Sequence, residues 1–272
     1  MTNVLMGSRV GISRRQGKII ELLRAHGTLS ISDVATRLSC STATIRRDIQ
    51  GLEEQGEVRR LHGAVALDGM VVERPFQDKF TTHPEEKKDI AACLAEWMPD
   101  GAIVGLNGGT TTTAVALRLA ELQRNITVVT NAVNIAHTLS DRGIPVVVVG
   151  GALRPQNYET TGPAALASLA QLHLDWAVLG ANGIDRKFGI TTTTEDEAAV
   201  GQAFAKQADH VLVAGDRSKL GRTALFRMLL WNELDFLCSD NGARSLLEDW
   251  GLSMVEEGIW SLDGGGPRQS GG

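Results

Sequence analysis

The sequence predicts an α/β protein in two parts: an N-terminal winged helix-turn-helix, then a doubly wound domain on a mainly parallel sheet. Two observations carry this. The first part holds three short stretches of helical apolar period, with a tight turn between the last two. From Ala102 onward a short apolar strand, a polar loop and a helical stretch follow one another repeatedly, the alternation that builds a parallel sheet covered on both faces.

Taken in order, Arg14 to His26 spaces Ile19, Ile20, Leu22 and Leu23 as a helix, with Gly27 placed as its C-terminal glycine. Ser30 or Ser32 starts a second helix with Ile31, Val34, Ala35 and Leu38 as its apolar stripe, and Ser39 to Ser41 make the turn. Ser41 to Gln55 is the third helix. Ser41 caps it, Ile45, Ile49 and Leu52 face inward, and Thr42, Thr44, Arg46 and Arg47 stand outside near the amino end. That end is the one a recognition helix offers to base edges and phosphates, and Asp48 is placed to orient one of the two arginines. Two short strands, Glu57 to Leu61 and Ala64 to Leu67, flank His62-Gly63 and form a basic wing with Arg59 and Arg60.

Charge divides along the same line. Over residues 9–67 ten Lys or Arg stand against six Asp or Glu, while the whole chain of 272 residues carries −5. A basic head on an acidic body fits a regulator in which only the head meets phosphates. The expected limits are 9–67 for the head, 68–84 for a linker, 85–258 for the second domain and 264–272 for a disordered tail. No apolar run approaches membrane-spanning length and the start lacks a signal-peptide pattern, so a cytoplasmic protein without membrane association is expected. Cys40, Cys93 and Cys238 are odd in number, far apart and without metal-ligand spacing; reduced packing residues, no metal and no cofactor are expected.

The run from Arg14 to Val65, with Ser41-Thr42-Ala43-Thr44-Ile45-Arg46-Arg47-Asp48-Ile49 and Leu52-Glu53 at its centre, resembles the DNA-binding domain of the DeoR family of bacterial repressors. Arg60-Leu61-His62-Gly63-Ala64 is similar to the family's wing, with alanine in place of its second glycine. The DNA-contacting residues so implied are Ser41, Thr42, Thr44, Arg46, Arg47, Arg59, Arg60 and His62.

In the second part a helix begins at Glu86-Lys87 with Ile90, Ala91, Leu94 and Trp97 inside. Ala102 to Leu106 is a strand that runs into Asn107-Gly108-Gly109-Thr110-Thr111-Thr112-Thr113, followed by a helix from Ala114. Glycines that let amides approach an anion, threonine hydroxyls and a helix start make a phosphate cradle, and the Gly-Lys-Ser/Thr ending of a Walker loop is absent. Further strands, Thr127 to Thr130, Val146 to Val149, Trp176 to Leu179 and Val211 to Ala214, run into polar loops at their carboxyl ends, where such sheets bind ligands. Helices are expected at Val133 to Leu139, Ala164 to Leu172 and Glu195 to Ala208.

Glu86-Lys87-Lys88-Asp89-Ile90-Ala91, Gly109-Thr110-Thr111, Val129-Thr130-Asn131, Gly150-Gly151, Gly180-Ala181-Asn182-Gly183-Ile184-Asp185 and Asp216-Arg217-Ser218-Lys219 resemble the DeoR family sensor domain, itself related to ribose-5-phosphate isomerase. Where the family commonly has Asp-Ser-Gly, this chain has Asn107-Gly108-Gly109. The resemblance implies a phosphorylated sugar as effector, operator DNA as partner and a repressor of carbohydrate genes. It implies effector contacts from Asn107, Gly108, Gly109, Thr110, Thr111, Thr112, Asn131, Gly151, Asn182, Asp216 and Lys219. One winged helix reads few bases, so a homo-oligomer, dimer or tetramer, is expected.

Two other classes remain in view. One is a sugar-phosphate isomerase carrying a DNA-binding head; the acids of the isomerase loop are missing from Gly180 to Asp185, although Glu195, Asp196 and Glu197 follow at a helix start. The other is a helix-turn-helix used only for protein contacts.

Overall fold

The computed structural model describes residues 13–26, 28–61, 64–67 and 76–262. The chain divides into two compact units, Met1–Val72 and Glu73–Gly272. In the first, α1 (Arg14–His26), β1 (Thr28–Ser30), α2 (Ile31–Arg37), α3 (Thr42–Glu54), β2 (Val58–Leu61) and β3 (Ala64–Leu67) follow in order. Ile19 and Leu23 of α1, Val34 of α2, and Ile45, Ile49 and Leu52 of α3 form one core. Of the two serines expected to start α2 it is Ser30 that caps, its Oγ accepting from Asp33 N at 3.0 Å. Ser41 Oγ accepts from Thr44 N at 3.2 Å and caps α3. Strand β1 was not expected; it pairs antiparallel with β3 to give the order β1-β3-β2. Three residues with one core side chain, Leu29, are too few to show a period of two. Gly27, His62 and Gly63 lie outside the described residues, as does the expected tail at 264–272.

The second unit opens with α4 (Phe76–Phe80) and α5 (Pro84–Trp97). Both fall wholly or partly in the segment expected to be a linker, whose residues 68–75 lie outside the described residues. The remainder is packed structure. Phe76 is buried, its N–H donates to Gln156 O at 3.2 Å, and its ring meets Tyr158 edge-on at 5.5 Å. Two phenylalanines one turn apart supply apolar area that a composition scan reads as mixed.

Then come β4 (Ile103–Leu106), α6 (Thr110–Glu121), β5 (Thr127–Thr130), α7 (Val133–Ser140), β6 (Val146–Val148), β7 (Ala152–Arg154), β8 (Glu159–Thr161) and α8 (Pro163–Leu169). β9 (Leu174–Gly180), β10 (Gly183–Asp185), β11 (Gly189–Thr192), α9 (Glu195–Lys206), β12 (Ala208–Ala214), β13 (Phe226–Leu229), β14 (Phe236–Cys238), α10 (Arg244–Asp249), β15 (Ser253–Glu256) and β16 (Ile259–Ser261) complete the chain. Eight strands make the main sheet in the order β15-β16-β14-β12-β9-β4-β5-β6. The six from β14 to β6 are parallel, and β16 and β15 add an antiparallel edge. The domain therefore runs to Ser261, past the expected limit at 258, because Ile259 and Trp260 bury on opposite faces.

Alternation along the strands fills two cores. Val104, Leu106, Trp176, Val178, Leu212 and Ala214 face α5, α6 and α7, while Ala177, Leu179, Val211 and Val213 face α8, α9 and α10. Gly105 occupies the second face between Leu174 and Phe204, where a β-carbon would stand 2.8 Å from both side chains. Helix α6 starts at Thr110, four residues before the expected Ala114. Threonine has modest helix propensity, but Thr113 N–H and the hydroxyls of Thr112 and Thr113 all donate to Gly109 O, at 3.0, 3.2 and 2.6 Å.

Adding bulk at Gly105 forces α9 off the sheet. Gly105→Val is expected to cost about 1–3 kcal/mol, read as a lower denaturation midpoint with an unchanged slope.

Candidate functional site

On the first unit, Thr42, Arg46 and Arg47 are exposed on α3, and Thr44, expected outside, is half-buried. Ser41 is exposed but committed to its cap. Asp48 does not orient Arg46 or Arg47. It turns inward and takes Arg15 of α1 through both guanidinium edges, Nη2 to Oδ1 at 3.0 Å and Nε to Oδ2, while Gln16 Nε2 donates to Asp48 O at 3.3 Å. The hydrogen bond and charge of Asp48 raise the Arg15 pKa above its ordinary value. Arg60 is likewise a buttress, with Nε 3.3 Å from Glu53 Oε2 and Nη2 donating to Arg46 O at 3.1 Å. The Arg59 side chain and His62 lie outside what the structure describes. A second cationic surface was not foreseen: Arg14, Arg15 and Lys18 of α1 line a shallow cleft with Arg37, Leu38 and Ser39.

On the second unit, the chain winds from β4 one way to β5 and β6, and from β9 the other way to β12 and β14. The strand order thus reverses between β4 and β9, and a crevice opens at their carboxyl ends. Asn107 and Gly180 close its floor with a reciprocal pair, Nδ2 to Gly180 O at 3.1 Å and Gly180 N to Oδ1 at 2.8 Å. Asn107, Gly108, Gly109, Thr110, Thr111, Asn182 and Lys219 of the expected residues line this pocket. The first intrahelical bond of α6 comes from Thr113 N, so the amides of Thr110, Thr111 and Thr112 lie outside the helical ladder at its positive end. Asn182 Oδ1 stands 3.0 Å from Thr192 Oγ1.

Four expected residues do not line it. Thr112 is fully buried, with its methyl toward Gly180. Asn131 is a buried strut: Oδ1 accepts from Gly108 N at 3.1 Å and Nδ2 donates to Thr160 O at 3.0 Å. Gly151, at φ +149°, lets the backbone pass Thr161 O, which a β-carbon would meet at 2.6 Å. Asp216 is buried and caps the single turn Arg217–Lys219, accepting from Ser218 N at 3.0 Å, and so aims Lys219 rather than meeting the pocket itself.

Lys79, Glu159, Thr192, Glu197 and Met228 line the pocket unforeseen. Lys79 comes from α4. Glu159 comes from the β7–β8 hairpin and packs so closely that a β-carbon on Gly108 would lie 2.1 Å from its Cγ. Glu197, in the first turn of α9, is saturated: Oε1 meets Arg154 Nη1 at 2.8 Å and Asn157 Nδ2 at 2.5 Å, and Oε2 accepts from Thr192 Oγ1 at 2.6 Å and Thr193 Oγ1 at 3.2 Å. The acidic run at 195–197 was the one sequence signal for this side of the pocket.

Lys87, buried on α5, holds α4 in place. Its Nζ donates to Lys79 O at 2.5 Å and to Thr82 O. Burial lowers its pKa to about 8, against the charge of Asp216. Between pH ~8 and the unfolded lysine value of about 10.4 the unfolded chain keeps a proton that the folded chain has shed, so this group's contribution to stability rises with pH. Lys87→Met is expected to remove that rise, followed as Tm against pH, and to increase amide exchange in α4.

Among the described residues no helix is long and apolar enough to cross a membrane. Comparison with known proteins matches residues 15–69 to the DeoR-like helix-turn-helix domain and residues 82–241 to the DeoR C terminal sensor domain. The glycerol-3-phosphate regulon repressor of Escherichia coli K12 is 34% identical over 84% of this chain and 90% of its own. The HTH-type transcriptional repressor GlcR of Bacillus subtilis is 33% identical over 82% and 86%, and the HTH-type transcriptional regulator GlpR of Haloferax volcanii 31% identical over 90% and 97%. A ribose 5-phosphate isomerase A from Neisseria gonorrhoeae aligns over 66% of this chain at 16% identity and a TM-score of 0.39, too distant to bear on chemistry. With both domain models matched in order and relatives aligned along most of their length, the chain belongs to the DeoR family of DNA-binding transcriptional regulators.

Proposed function

We propose that the protein is a cytoplasmic, oligomeric repressor of carbohydrate genes whose hold on operator DNA is set by a phosphorylated sugar bound at the β4–β9 crevice. The observation that carries this is the gathering in one pocket of Gly108, Gly109, Thr110 and Thr111 at the start of α6 with Lys79, Lys219, Asn107, Asn182, Glu159 and Glu197. Amides at a helix start and two ammonium groups suit a phosphate; amides and carboxylates suit hydroxyls. Named sugar-phosphate regulation among the relatives, as in the glycerol-3-phosphate regulon repressor, supports the same reading.

On the head, Thr42, Thr44, Arg46 and Arg47 are assigned to bases and phosphates. The Arg14, Lys18 and Arg37 cleft takes the neighbouring phosphate strand. Arg60 supports α3 rather than reading DNA.

The described pocket holds about 50 Å³, against roughly 300–1,000 Å³ for ligand sites in general. A sugar phosphate therefore displaces a wall, and α4 is the slightest one, five residues held by Lys87, the Phe76 N–H bond to Gln156 O and the Phe76–Tyr158 ring contact. A shift of α4 on binding is the assigned route from effector to the preceding chain. No catalytic role is assigned: a proton-transfer base needs a free carboxylate, and Glu197 spends both oxygens on Arg154, Asn157, Thr192 and Thr193.

The decisive experiment titrates binding to DNA upstream of the protein's own and neighbouring genes with sugar phosphates and the matching free sugars. One phosphorylated sugar is expected to shift operator affinity while its free sugar does not; a response to neither rejects the sensor assignment. Arg46→Ala and Arg47→Ala are each expected to weaken operator binding and flatten its salt dependence without lowering Tm. Lys79→Ala and Lys219→Ala are expected to keep operator affinity and raise the effector Kd about tenfold or more, about 1.4 kcal/mol or above, by calorimetry.

A further inference from the structure

Two of the three cysteines, far apart in sequence, face each other across one interface of the sensor unit. Cys93 lies on α5 and is partly exposed; Cys238 ends β14 and is buried. Cys238 Sγ stands 4.0 Å from Ile90 O, one turn before Cys93 on the same helix. Cys93 Sγ lies 2.9 Å from Glu257 O, and a β-carbon on Gly258 would meet it at 3.3 Å. Ser239, next to Cys238, in turn donates its N–H to Gly258 O at 3.0 Å. Residues 257 and 258 thus bring the surroundings of both thiols together, and each thiol acts on the titration of the other.

We propose that Cys93 and Cys238 form a peroxide-responsive dithiol that closes reversibly to a disulfide. Cys93 is the attacking sulfur. The hydrogen bond from Cys238 holds its pKa below that of an ordinary thiol, outweighing burial and the nearby carboxylates of Glu256, Glu96 and Glu257. Burial, then the contact with Cys93 and the charge of Asp240, push Cys238 well above the ordinary value, so it waits as the resolving thiol. The Cys93 thiolate attacks one peroxide oxygen, the O–O bond breaks, and the departing hydroxide is protonated to water. Cys238 then attacks the sulfenic sulfur; its proton and the hydroxyl leave as a second water as the S–S bond forms. Two thiols lose two electrons and one hydrogen peroxide becomes two waters. Cys40, in the other unit, donates its thiol proton to Leu38 O at 3.3 Å.

Peptide mapping of the full chain after dilute hydrogen peroxide and alkylation tests this. The expected result is a Cys93–Cys238 linked peptide, lighter by two hydrogens, reversed by dithiothreitol, within a single chain on a non-reducing gel. Cys238→Ala is expected to leave Cys93 as a sulfenic acid captured by a cyclic 1,3-dione. Cys93→Ala is expected to leave Cys238 unmodified. The proposal fails if Cys93 and Cys238 stay alkylated under peroxide that modifies Cys40, or if Cys93 links chain to chain instead. The mapping of the unsubstituted chain decides this even if either variant folds poorly.

Discussion

The sensor unit depends on one backbone-mimicking contact, the pair of hydrogen bonds between the Asn107 amide and the Gly180 backbone. At a point where strand order reverses, β4 and β9 part and their terminal peptide groups lose ladder partners. An amide side chain carries a donor and an acceptor in the spacing of a peptide, so Asn107 continues the ladder for one more step. A β-carbon at Gly180 would stand 3.5 Å from the Thr112 methyl and 3.6 Å from Asn107 Oδ1, ordinary contact distances, so the pairing rests on the backbone of residue 180 and not on its being glycine. Asn131 does the same service one strand away, pinning Gly108 to Thr160. With both struts in place the Gly108-Gly109 turn is fixed and α6 begins where its amides point into the crevice.

Much of this was legible in sequence because it is periodic or punctuated. Ser30, Ser41, the spacing of Ile45, Ile49 and Leu52, and the strands entering Asn107, Asn131 and Gly180 each leave a local mark. What stayed hidden is non-local. Asp48 reads as an orienter of Arg46 or Arg47 until α1 brings Arg15 across thirty-three positions. Asn131 and Asp216 are polar residues in polar loops, and only packing distinguishes a strut or a cap from a ligand contact. The β7–β8 hairpin has three-residue strands with no period, yet it delivers Glu159 to the crevice and Arg154 and Asn157 to Glu197.

A carboxylate near a sugar phosphate invites a catalytic reading, and Glu197 is where that reading would begin. Its two oxygens accept from a guanidinium, an amide and two hydroxyls, which hold the side chain still. A group so held is a fixed part of the pocket wall. The arrangement spends its polar groups on shape.

Regulation then reduces to where the ligand's free energy goes. A ligand that fits the crevice equally well with α4 in or out changes no equilibrium, whatever its affinity. On the reading proposed above, Lys79 breaks that symmetry, because its side chain lines the pocket while its carbonyl is held by Lys87, so a phosphate engaging the ammonium would act on a helix already tied elsewhere. The differential affinity available is bounded by those few contacts: one charge-assisted hydrogen bond gained, of order 1.5–3 kcal/mol, against the two that Lys87 makes to Lys79 and Thr82. Couplings between sites are commonly about 1–3 kcal/mol. A five-residue helix with one cation facing the ligand and one holding its end is enough to supply a coupling of that size.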